Sequence, residues 1–175
     1  LSCRDYPCTT GQPEHTVILV HGFCLDQTSW HLQVQQLQRD WNHRVRVITF
    51  DHRGHGDSAA APMASYTIER LAIDIAQVLD ALGVRGSVTA AGHSMGAMAL
   101  LRFLAQPATQ RPVEPHGLVL VGAASGALTR HGAARVLAFP ALEAAVALAA
   151  HASGRYAAAA ARALVGPACA LAGQL

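Results

Sequence analysis

Gly92-His93-Ser94-Met95-Gly96 decides the reading of this chain. The pentapeptide follows an apolar run, Ser87-Val88-Thr89-Ala90-Ala91, and opens a second one, Ala97-Met98-Ala99-Leu100-Leu101. A serine between spaced glycines therefore stands between an expected strand and an expected helix. A turn that sharp strains its central residue and leaves no room for side chains two positions either side, which Gly92 and Gly96 provide. The Ser94 hydroxyl then stands clear of the sheet, ready to attack an acyl carbon. Glycine and serine are common, so the letters alone are weak; the strand before and the helix after carry the inference.

The same alternation runs upstream and downstream. Thr16-Val17-Ile18-Leu19-Val20 is a β-branched run ending at His21-Gly22, as a buried parallel strand should. Gln27 to Asp40 reads as a helix with Trp30, Val34 and Leu37 on one face. Val45-Arg46-Val47-Ile48-Thr49-Phe50 forms a strand that runs into the glycine-rich loop Asp51 to Ser58. Thr67 is a good N-cap for a helix lined by Ile68, Leu71, Ile75, Val78, Leu79 and Leu82 and stopped at Gly83. After the Ser94 turn a helix reaches Ala105, stops near Pro107, and gives way to a strand at Gly117-Leu118-Val119-Leu120-Val121.

Strand alternating with helix at this period means right-handed crossovers, hence a doubly wound, mostly parallel sheet with helices on both faces. This core is expected over residues 1–126. Residues 127–175 are alanine-rich and helix-prone, broken by Pro140, Gly154, Gly166 and Pro167, and read as the start of a helical cap. Ligands of such sheets sit beyond the carboxyl ends of the strands. His21-Gly22-Phe23, Asp51-His52-Arg53-Gly54 and Ser94 all fall there, so three segments converge on one crevice.

Composition narrows the partners. The 175 residues are 51% hydrophobic with a formal net charge of +2, and the arginines are spread along the chain, so nucleic acid is not expected. Cys3, Cys8, Cys24 and Cys169 lack C-x-x-C spacing, which argues against a metal site or a disulfide framework. The longest apolar tract, Ala144 to Ala150, is too short to span a bilayer.

His21-Gly22-Phe23-Cys24, Asp51-x-Arg53-Gly54-His55-Gly56-x-Ser58 and Gly92-His93-Ser94-Met95-Gly96 together resemble the α/β-hydrolase superfamily. Within it, the likeness is to the branch of serine esterases, lipases and haloperoxidase-like enzymes with a helical cap. It implies an α/β-hydrolase core with Ser94 as nucleophile and the backbone N–H groups of Phe23 and Met95 as oxyanion hole. His21, Gly22, Gly92, His93 and Gly96 would shape the site, His21 as a structural histidine of its loop. The expected substrate is a small apolar acyl compound or ester, with no cofactor. Ala97 departs from the pattern, since many members have another glycine there. Serine at the elbow argues against epoxide hydrolases and haloalkane dehalogenases, which use aspartate. The glycine-rich loop lacks the lysine of a phosphate-binding loop, and Arg53 is expected to tie it down by hydrogen bonds.

A serine nucleophile needs an imidazole held by a carboxylate, and in this family both follow later strands. Beyond Val121 only Glu143, His131 and His151 have the right chemistry, all in the alanine-rich stretch and none at a strand end. The triad acid and histidine are therefore expected outside this chain, which reads as an amino-terminal piece; the alternative is a natural short form that lacks a general base. Two rivals stay open: a cofactor-free haloperoxidase, perhydrolase or carbon–carbon bond hydrolase, and a catalytically inactive binding or scaffold protein of the same fold.

Overall fold

The computed structural model describes residues 1–9 and 11–123. Its elements run β1 (Cys3–Tyr6), β2 (His15–Val20), a short 3-10 turn (Gln27–Trp30), α1 (His31–Asp40) and β3 (Val45–Phe50), then α2 (Ile68–Ala81), β4 (Val88–His93), α3 (Met95–Leu104) and β5 (Gly117–Val121). The sheet order is β1-β3-β2-β4-β5, parallel throughout except for β1, which pairs antiparallel with β3. From β2 the chain first steps outward to β3, then crosses back to β4 and on to β5. Right-handed crossovers in opposite directions place α1 on one face and α2 and α3 on the other.

Side chains alternate between two cores, as the period of a strand requires. Ile18, Val20, Ile48, Phe50, Val88 and Ala90 meet Leu71, Ile75, Leu79, Leu100 and Phe103 of α2 and α3. Val17, Leu19, Val45, Val47 and Ala91 meet Val34, with Trp30 and Leu37 packed alongside. Strands buried on both faces explain why β2 and β3 read as mainly apolar runs. Among the described residues β5 forms one edge, with Leu118 to Val121 exposed.

The strands at Val45–Phe50 and Gly117–Val121 lie where the sequence puts them. The Thr67 side chain accepts the Arg70 N–H at 3.2 Å to start α2, and Gly83 follows the helix at φ +59°. Three local features differ. The first turn of the expected Gln27–Asp40 helix is 3-10, capped by Asp26, which accepts the Thr28 N–H. β4 runs on to His93, and α3 begins at Met95 with Ser94 alone between them. β1 carries no apolar period that a sequence reading could find; it is held by its ladder to β3 and by Asp5, which accepts from Arg46 Nε at 3.0 Å and Nη2 at 2.7 Å. The expected cap, 127–175, lies outside the described residues.

The loop after β3 is anchored to α2. Arg53 donates to both oxygens of Asp74, each at 2.7 Å, and to Ser65 Oγ at 3.0 Å, while Arg70 reaches the same carboxylate at 3.2 Å. Asp74 is 2% exposed and Arg53 11%, so neither ion has water as a substitute. Asp74→Ala leaves a desolvated guanidinium without its counterion, and urea unfolding should show a loss of about 3 kcal/mol. An unchanged midpoint would show that the pair contributes nothing to the fold.

Candidate active site

Ser94 has φ +49° and ψ −112°, a conformation that L residues rarely adopt and that costs about 1–3 kcal/mol. The surroundings enforce it. Its N–H donates to Val121 C=O at 2.8 Å, prolonging the ladder to β5, and its own C=O accepts the first helical bond of α3, from Met98 N–H at 3.1 Å. Two absent side chains make room for the turn. A Cβ on Gly92 would lie 2.7 Å from Ala97 N, and one on Gly96 would run into the backbone carbonyls of Val20 and His21. The start of α3 is thus pressed directly onto the end of β2. The Ser94 hydroxyl does not cap α3, although it stands at its N-cap, and the residue is partly exposed.

The loop after β2 faces this turn. Leu25 N–H donates to Gly22 C=O at 3.2 Å, closing a turn in which Cys24 takes φ +60° and Phe23 is exposed. Gly22 is bare because the His93 ring lies against it: a Cβ there would come within 2.6 Å of His93 Nδ1. Met95 N–H precedes the first intrahelical bond of α3. Among the described residues, neither Met95 N–H nor Phe23 N–H donates to a backbone carbonyl.

Below this loop lie three imidazoles. His21 is wholly buried; its Nδ1–H donates to Gly22 C=O at 2.8 Å, and its Nε2 accepts the His52 N–H at 2.9 Å. A ring that donates at one nitrogen and accepts at the other is neutral, in the Nδ1–H tautomer. His52 Nε2–H donates to His21 C=O at 3.2 Å, and His55 Nδ1–H donates to Arg53 C=O at 3.0 Å. The His21 ring centre lies 4.6 Å from that of His52 and 5.4 Å from that of His55. Burial lowers the His21 pKa to about 4, partly offset by its bond to Gly22 and reinforced by His55. Burial holds His52 well below the usual histidine range, helped by the other two rings, and lowers His55 as well. Among the described residues, no group of three His, Cys, Asp or Glu side chains is arranged to hold a metal ion.

The Asp51 carboxylate is buried beside them, with no ion pair among the described residues. It accepts from Gln27 N–H at 2.7 Å, Gln27 Nε2 at 3.0 Å and Asp57 N–H at 3.0 Å, while Ser58 Oγ donates to Asp51 C=O at 2.7 Å. Several charge-assisted hydrogen bonds replace the water the carboxylate has lost. Gly56 is bare because a Cβ would collide with this carboxylate.

The fold thus brings His21, Gly22, Phe23, Gly92, His93, Ser94, Met95 and Gly96 to the carboxyl ends of β2 and β4. Glu143, His131 and His151 lie outside the described residues. Sequence reasoning missed Gln27, whose carboxylate partner is 24 residues away in the chain and leaves no local signal. It also missed Asp74, for which a signal exists: a carboxylate on the apolar stripe of α2, beside Leu71, Ile75 and Val78.

Comparison with known proteins fits this geometry. Residues 15–167 match the family described as the alpha/beta hydrolase fold, and the chain belongs to that family. It is 33% identical to the non-heme chloroperoxidase of Streptomyces lividans over 103 residues, 59% of this chain and 34% of that protein. It is 36% identical to epoxide hydrolase 4 of Mus musculus over 83 residues, 47% of this chain and 22% of that protein. The thermophilic esterase from Thermogutta terrifontis superposes with a TM-score of 0.58 at 31% identity, over 71% of this chain and 40% of the esterase. The chain spans about a third of the length of the curated chloroperoxidase it matches.

The imidazole cluster makes stability depend on pH. Unfolded, His21 titrates near its ordinary 6.5; folded, near 4. Its contribution is complete above pH 6.5 and is lost as the pH falls toward 4, because only the unfolded chain takes up the proton in that window. His21 alone accounts for about 3 kcal/mol, with His52 and His55 acting in the same direction. Urea midpoints should fall steadily across that window, and a flat profile would show that the rings are not buried neutral.

Proposed function

We propose that this chain carries the nucleophile of a serine hydrolase acting on carboxylic esters or related acyl bonds. The observation that carries the reading is the strained Ser94 at the amino end of α3, where, among the described residues, neither the Met95 nor the Phe23 N–H donates to a backbone carbonyl. Ser94 Oγ attacks the acyl carbon, and the carbonyl oxygen becomes an oxyanion between those two amides. The Met95 amide stands at the positive end of the α3 dipole, which favours the developing charge. Collapse of the tetrahedral intermediate expels the alcohol and leaves the acyl group on Ser94; attack by water then releases the acid. Losing one such amide donor raises the barrier by about 2.7–4 kcal/mol.

The Ser94 proton needs an acceptor. Among the described residues His21, His52 and His55 each donate to a backbone carbonyl, and the His93 ring is lodged against Gly22. We therefore assign the base and its carboxylate partner to positions outside the described residues, following the serine-acid-histidine order of such enzymes. The substrate we favour is small and apolar, because the exposed Phe23 ring stands on the loop that faces Ser94. The chloroperoxidase relative supports a second reading on the same serine, in which hydrogen peroxide replaces water and releases a peracid.

A fluorophosphonate probe applied to the full-length protein should label Ser94, located by peptide mapping. Ser94→Ala should abolish labelling and cut hydrolysis of a p-nitrophenyl ester by at least about a thousandfold. Folded protein that is never labelled would favour a binding or scaffold role instead. Peracid formation exceeding acid formation at millimolar peroxide would select the second reading.

A further inference from the structure

Phe23 sits on an exposed turn, and the ring that contacts its side chain comes from the loop after β3. The Phe23 ring meets the His55 ring edge-on, with centres 5.9 Å apart and planes at 70°. Among the described residues that is the ring contact Phe23 makes. His55 is itself fixed on three sides: by Nδ1–H donating to Arg53 C=O at 3.0 Å, by the His21 ring at 5.4 Å, and by its backbone. Its N–H donates to His52 C=O at 3.0 Å and its C=O accepts from Ser58 N–H at 2.9 Å. Arg53, whose carbonyl holds the imidazole, is locked to buried Asp74 by its two 2.7 Å bonds. A continuous chain of contacts therefore runs from α2 through Arg53 and His55 to Phe23. The glycine-rich loop does not need an imidazole at position 55 to turn, because Gly54 and Gly56 supply the left-handed conformations at φ +68° and φ +50°.

We propose that His55 is a positioning residue for the oxyanion hole: its anchored ring braces Phe23 so that the Phe23 amide points at the oxygen that becomes negative. This rests on the Ser94 reading above. A brace of this kind acts on the transition state, since the amide is required only once charge develops. A ring that merely filled space would change stability and leave catalysis alone.

The experiment compares His55→Ala, His55→Phe and His55→Gln in the full-length protein. The readouts are p-nitrophenyl ester turnover, affinity for a boronic acid that forms a tetrahedral adduct on serine, and urea unfolding. His55→Ala should lower kcat roughly 10- to 100-fold and weaken boronate binding by a similar factor, with KM within about twofold of wild type. His55→Phe, which restores a ring, should recover most of the loss; His55→Gln, which keeps a donor and no ring, should recover none. Should His55→Ala fail to fold, the Phe and Gln variants carry the comparison. Wild-type kcat and boronate affinity in the Ala or Gln variant, or no recovery in the Phe variant, would overturn the inference. Wild-type protein that does not react with a fluorophosphonate overturns the Ser94 reading, and this inference with it. Labelled wild type with unaffected His55 variants overturns this inference alone.

Discussion

The whole arrangement depends on how closely the start of α3 approaches β2. With hydrogen in place of a Cβ at Gly96, the first turn of the helix rests on the carbonyls of Val20 and His21, and Gly92 accepts the same helix from below. That approach leaves one residue, Ser94, to turn the chain from strand to helix, which it does only at positive φ. The strain is a local cost of about 1–3 kcal/mol. It is sustained by the β4–β5 ladder on one side and by packing of Leu100 and Phe103 in the core on the other. Loosen the contact at Gly96, and the serine relaxes into an ordinary conformation.

A second constraint concerns polarity. The carboxyl ends of the strands bury Asp51, Asp74, His21 and His52, groups that a core tolerates only when their hydrogen bonds are supplied. Backbone N–H groups and Gln27 satisfy Asp51, two arginines satisfy Asp74, and the histidines bond to backbone groups of adjacent loops. Among the described residues, His52 Nδ1 is one of the buried atoms with no hydrogen-bond partner, consistent with an imidazole held neutral. These bonds are directional where apolar contacts are not, so they fix the loops in register with the serine.

The relatives put this framework in proportion. A chloroperoxidase, an epoxide hydrolase and an esterase are each similar to this chain over part of its length, at 31–36% identity. A fold found in such differently named proteins does not by itself choose a reaction, which falls to the residues of the site. In this chain the residue between β4 and α3 is a serine.

The sheet, its parallel sense and the helices over residues 27–105 were legible in the sequence because burial on both faces writes mainly apolar runs and amphipathic periods. Ser94 was legible because its turn demands glycine at two fixed places. β1 was not, since an antiparallel edge strand of polar residues has no period to read. Nor were the pairings of Asp51 with Gln27, Arg53 with Asp74 and Phe23 with His55, which join residues 21 to 32 positions apart. By itself the sequence determined which residues could form strands, helices and a strained serine turn, because those are local properties of the chain. Only the tertiary structure decided which buried charges meet and which loops face the serine turn, because these depend on packing between segments that local pattern does not encode.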